Sequence, residues 1–132
     1  MDTKRLAIGT VVGGIAMFAI AYLIWDIALD YWNAAFVAAG VSKPQVVWGA
    51  VLSNVAHAAL VTLAIDRCGA STIGAGVKVG AIVGFLVWSG VDLAYYANTT
   101  IFDLTTTIFD PLLASVHFAI GGGVIAAVLV KR

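Results

Sequence analysis

Two aspartates four residues apart, Asp26 and Asp30, stand in the stretch "WDIALDYW" near the end of a long apolar run, where a lipid-facing helix would carry leucine. On a continuous helix this i, i+4 spacing separates them by about 40° and brings Asn33 to the same side, so that two carboxylates and an amide form one stripe. Paired acids of this kind hold a cation or pass protons. A third acid, Asp92, lies between the apolar stretches "FLVWSGV" and "LAYY". Within a membrane span such a group is costly and faces a bundle interior or a water-filled cavity.

The two histidines add titratable groups. His57 lies centrally in its apolar run with Ser53 and Asn54 beside it, and His117 has Ser115 close by and Gly121 one turn further in. Each is expected to be a core imidazole bonded to a neighbour, a proton-relay group or a ligand. As an axial pair for haem they would need one common depth. Measured from Pro44 and Pro111 they sit about 20 Å and about 9 Å along their helices, which argues against that pairing. Asp26 or Asp30 with Asp92 and His117 would suit a first-row divalent ion. No Glu-x-x-His motif accompanies them, however, and neither a metal nor any other cofactor is assigned.

The elements that must carry these residues are spans. Hydrophobic residues make up 62 % of the 132 residues and charged residues only 11 %, a membrane composition. Four apolar runs, Leu6 to about Leu29, Val46 to Ile65, Val79 to about Ala97 and Leu112 to Val130, each approach the roughly 20 residues that cross about 30 Å of hydrocarbon. The expected fold is therefore all-α, one domain of four transmembrane helices in a bundle. "YWNAAFVAAGVSKP" and "LAYYANTTIFDLTTTIFDP" are expected to form short interfacial helices in the two connections at one end. In the second, the repeated "TIFD" would put Asp103 and Asp110 on one face beside Ile101 and Ile108. Asp110-Pro111 reads as the N-cap and first residue of the fourth helix, with Pro44 opening the second in the same way.

Several positions recur between the halves, among them Gly9/Gly13 with Gly76/Gly80, Trp25 with Trp88, Pro44 with Pro111 and His57 with His117. Two duplicated hairpins, 1–66 and 67–132, inserted the same way round, would produce this pattern. The ridge Gly76, Gly80, Gly84 and the run Gly121, Gly122, Gly123 allow close helix contact.

The arrangement of spans, the aspartates at the aromatic end of the first and "GAIVGFLVWSGVDLAYYANTTIF" in the third resemble small uncharacterised four-span bacterial integral membrane protein families. The resemblance implies a conserved polar position at Asp92 and carries no activity with it.

Lys4, Arg5, Arg67, Lys78, Lys131 and Arg132 fall on one side of a four-span arrangement, against Lys43 on the other. The positive-inside rule then puts both termini in the cytoplasm, in a cell (inner) membrane, and makes the opposite side acidic. Lys4 and Arg5 before an apolar core and Ala19-Ile20-Ala21 also have the form of a secretory signal. The run is expected to persist as a span. Net charge is zero and no basic stripe points to nucleic acid. The lone Cys68 excludes dithiol redox chemistry.

The expected function is binding or proton-linked transport of a small cationic or polar ligand in a cavity lined by Asp26, Asp30, Asn54, His57, Asp92 and His117. The alternatives are an accessory subunit of a larger membrane complex and an intramembrane enzyme or metal- or haem-binding protein. The expected partners are the lipid bilayer and either further copies of the chain or other membrane subunits.

Overall fold

A computed structural model describes residues 2–130, and the expectation placed on Lys131 and Arg132 lies outside the described residues. Five α-helices follow one another: α1 (Thr3–Ala21), continued by a π-helical segment (Tyr22–Ala28), α2 (Tyr31–Ala38), α3 (Val47–Arg67), α4 (Ile73–Asn98) and α5 (Leu104–Val130). Four stretches, Thr3–Ala28, Val47–Arg67, Ile73–Asn98 and Leu104–Leu129, are long and apolar enough to span a bilayer. The chain is thus a membrane-embedded helical bundle, as its apolar runs imply.

The third and fourth spans begin earlier than hydropathy suggests, because polar caps set their starts. Thr72 Oγ1 accepts the Ala75 N–H at 3.1 Å, and Asp103 Oδ1 accepts the Thr106 N–H at 2.7 Å. These bonds satisfy N–H groups that a helix start leaves without partners. The bond from Thr106 also holds the exposed Asp103 carboxyl below the usual carboxylate range. Asp103 is therefore the cap of α5, and Asp110 and Pro111 lie inside the helix. This corrects three expectations. No separate interfacial helix forms in "TIFDLTTTIFD", Asp103 and Asp110 do not share a helical face, and Pro111 opens nothing. Pro44 likewise lies in the extended linker before α3, which starts at Val47. The first connection does contain its short helix, α2.

α5 is the axis of the bundle. Half of its apolar span is buried, against 17 % of that of α4. Its most extensive contact is with α4, followed by α1, which also lies along α3. The core gathers Met17, Ala58, Val61, Ile65, Phe118, Ile125, Ala126 and Leu129. Ile15, Ile82, Leu86, Val116 and Ile120 stay exposed and face where acyl chains would lie.

The α4–α5 contact is backbone against backbone. A Cβ on Gly84 would lie 2.5 Å from Phe118 Cβ and 2.7 Å from the Ala114 carbonyl oxygen, and one on Gly80 would collide with the Phe118 carbonyl. Gly90, further along α4, has open space around it. Gly80→Ala is therefore expected to destabilise the bundle by at least about 1–3 kcal/mol through overpacking. Gly90→Ala should stay within about 0.5 kcal/mol of the parent. Thermal unfolding of the two variants in one detergent checks this.

Candidate functional site

At the end of the bundle remote from Arg5 and Arg67, a cavity of about 890 Å³ opens between the π-helical segment, α2, the linker 41–46 and the first turns of α3. Pockets that enclose small molecules fall in the range of about 300–1,000 Å³. Its walls are aromatic, with Trp25, Trp32, Trp88, Tyr22, Phe18 and Phe36, and its polar groups include Asp26, Asn33, Asn54, His57, Asp110 and His117.

Local geometry explains the opening. From Tyr22 to Ala28 the helix widens, and the Leu29 N–H reaches back five residues to the Ile24 carbonyl at 2.8 Å. Such wide turns recur at functional sites. Leu29 then adopts extended dihedrals (φ −139°, ψ 92°) and the chain leaves the helix. The break overturns the expected Asp26/Asp30 stripe, since the i, i+4 relation exists only on a continuous helix. Asp26 is exposed and lines the cavity, whereas Asp30 is exposed, lies outside the lining and occupies the N-cap position of α2 without a side-chain capping bond.

α2 buries no residue of its own, and aromatic side chains hold it over the mouth. Trp32 packs on Trp88 (ring centroids 5.3 Å apart) and on Phe102 (4.8 Å), and Phe36 packs on Phe102 and Tyr95. Its first residue makes the polar attachment: the Tyr31 hydroxyl donates to Asp110 Oδ1. Trp25 Nε1 donates to the same oxygen at 3.1 Å and to the Tyr31 hydroxyl at 3.1 Å. Burial first, and then the bond to Asp110, raise the Tyr31 phenol above its ordinary range, so it remains a neutral donor.

Behind this attachment lies Asp92. It is fully buried and Asp110 is 1 % exposed, and the two carboxyl groups lie near each other where α4 packs on α5. Of their four oxygens only Asp110 Oδ1 is supplied with donors, by Trp25 Nε1 and the Tyr31 hydroxyl. Neither Asp92 oxygen, nor Asp110 Oδ2, has a hydrogen-bond partner among the described residues.

His57 and His117 flank Phe118, with ring centroids 5.0 and 5.3 Å from it, and both line the cavity. Counted from the observed helix starts they are ten and thirteen residues deep, about 15 Å and about 20 Å. The larger depth difference expected from the prolines arose because neither helix begins at its proline. His117 Nε2 lies 2.8 Å from the Met17 carbonyl. A carbonyl only accepts, so Nε2 carries the hydrogen. The Nδ1 atoms of both rings are buried without a partner, as are Asn54 Oδ1 and Trp88 Nε1. Among the described residues no three His, Cys, Asp or Glu side chains gather as a metal site.

No family model, curated protein or solved structure matches this chain. Its site is therefore read from its own residues.

Four of the residues singled out by sequence, Asp26, Asn54, His57 and His117, come together on the cavity. Asp92 lies behind its wall and Asp30 lies apart. Sequence reasoning took Asp110 for a helix cap and gave Trp25 and Tyr31 no place in the site. The spacing of Asp110 and His117, two turns apart, would have placed both on one face had the helix been continued through Pro111.

Tyr31→Phe removes a hydrogen bond to a buried carboxyl acceptor and is expected to lower stability by about 1–2 kcal/mol. Tyr22→Phe, at an exposed tyrosine on the same cavity, should leave it unchanged within about 0.5 kcal/mol. Thermal unfolding followed by tryptophan emission distinguishes them.

Proposed function

We propose that the chain binds a small organic cation in this cavity, at the non-cytoplasmic face of a cell membrane. The observation that carries the reading is the buried Asp92–Asp110 pair, three of whose four carboxyl oxygens have no hydrogen-bond partner among the described residues, with Asp110 at the wall of an aromatic cavity. Removing a charge from water without an opposite charge costs several kcal/mol. A cation in the cavity offsets that cost. Tryptophan faces around it add about 0.5–2 kcal/mol each through the ring quadrupole.

The chemistry of the walls selects the kind of cation. A hydrated metal ion would meet mainly aromatic carbon, whereas an alkylated ammonium places apolar substituents against Trp25, Trp32 and Trp88 while its charge acts on Asp110. Asp26 and Lys43 line the same cavity with opposite charges, which leaves the inner carboxylate to set the preference. Orientation follows from Lys4, Arg5, Arg67 and Lys78, whose positive charge favours the cytoplasmic side for the opposite end of the bundle.

Isothermal titration of the purified protein with tetraethylammonium should give saturable binding. Asp110→Asn should weaken it at least about tenfold, or about 1.4 kcal/mol. Trp32→Leu, which removes one aromatic wall and leaves the acids in place, should weaken it as well. Equal affinity for an uncharged molecule of the same size, or unchanged affinity in both variants, would refute the reading.

A further inference from the structure

We infer that the cavity takes its ligand sideways from the surrounding leaflet, and that this ligand is a zwitterionic lipid with an alkylated ammonium in its head group. The inference rests on the cation-binding reading above and names the class of cation. Two features of the site go unused by a free cation, a gap in the side wall and Lys43.

The gap lies between α1 and α3. In the halves that carry Arg5 and Arg67 the two helices touch: a Cβ on Gly9 would lie 2.5 Å from Thr62 Cγ2, and one on Gly14 would lie 3.1 Å from Val55 Cγ2. Beyond Gly14 and Val55 the cavity lies between them, lined by Phe18 and Ala21 on one side and by Ala50 and Ser53 on the other. Tyr22 and Ser53 line the cavity and are also exposed. Counted from Thr3 and Arg67 they stand about 28 Å and about 21 Å along their helices, within the roughly 30 Å of a hydrocarbon core. Side chains exposed at that depth face acyl chains, so the gap opens to the bilayer. Two turns further along the same faces, Ile15 and Leu60 are exposed as well. A chain leaving the gap therefore runs over apolar side chains, while α2 and the linker 41–46 lie across the end of the bundle.

Lys43 specifies the head group. It stands on the exposed linker and lines the same cavity as the buried Asp110. A lysine here repels a lone cation, whereas a ligand with both signs of charge matches both residues. In a zwitterionic lipid the ammonium then lies against Asp110 among Trp25 and Trp32, the phosphate meets Lys43 at the rim, and the acyl chains leave between Tyr22 and Ser53.

The test places the full chain in nanodiscs of phosphatidylcholine and phosphatidylglycerol in equal amounts, extracts it in mild detergent and identifies retained lipid by native mass spectrometry. The two lipids share phosphate and acyl chains and differ in the ammonium. Expected is one phosphatidylcholine per chain, retained in preference to phosphatidylglycerol and released by excess tetraethylammonium. Asp110→Asn should lower that retention at least about tenfold. Lys43→Gln should act in opposite directions on the two probes, lowering retention of phosphatidylcholine and raising the affinity for tetraethylammonium in calorimetric titration. Equal retention of both lipids, phosphatidylcholine that excess tetraethylammonium does not release, or full retention in Lys43→Gln overturns the assignment. Binding of tetraethylammonium with no lipid retained also overturns it and leaves cation binding standing. Absence of both overturns the cation reading itself.

Discussion

Asp92 reaches Asp110 because α4 and α5 touch backbone to backbone. The contact is possible where Gly76, Gly80 and Gly84 meet Ala114, Phe118, Gly122 and Ala126, positions at which a Cβ on α4 would strike main chain or a neighbouring Cβ. In a bilayer such contacts, rather than apolar burial, supply much of the association between helices. The acid pair rests on that close approach. Helices held a methyl group further apart would part the two carboxyl groups and leave Asp92 by itself in an apolar interior, a costly arrangement.

The cavity follows from the opposite tendency in α1. Its last turns widen into the π-helical segment and the chain breaks at Leu29. Trp25 and Tyr31 are thereby presented to Asp110 from two directions, while α2 lies across the opening on aromatic contacts. The result is a layered site, with the charges of Asp26 and Lys43 at the rim, aromatic faces in the middle and the acid pair at the back. On the proposed reading each layer takes a different part of an alkylated cation, and because Asp26 and Lys43 oppose each other, the inner layers carry the discrimination.

Much of the fold was legible in the apolar runs, because span length and composition are set by bilayer thickness alone. Span starts were less so. Thr72 and Asp103 define them through capping bonds, and hydropathy does not register a cap. The site was legible in part. Asp92 stood out since an acid in a span has few structural uses, and His57 and His117 stood out for the same reason. Asp110 was hidden by Pro111, whose usual place at the first turn of a helix suggested a boundary that the fold does not have. The buried positions Thr107, Asp110, Ala114, Phe118, Gly121 and Ile125 form one stripe through the proline, and following that stripe would have placed Asp110 inside. The Asp26/Asp30 stripe failed for the converse reason. A helix that widens and then stops at Leu29 leaves no fixed relation between residues on either side.

The central claim is that the Asp110 carboxyl group, at the wall of the aromatic cavity, holds the charge of a bound cation, and infrared difference spectroscopy of the carboxyl stretches observes it directly. Adding tetraethylammonium to the parent protein should perturb a carboxyl stretch that is missing from Asp110→Asn. Identical cation-induced spectra of the two folded proteins would contradict the account.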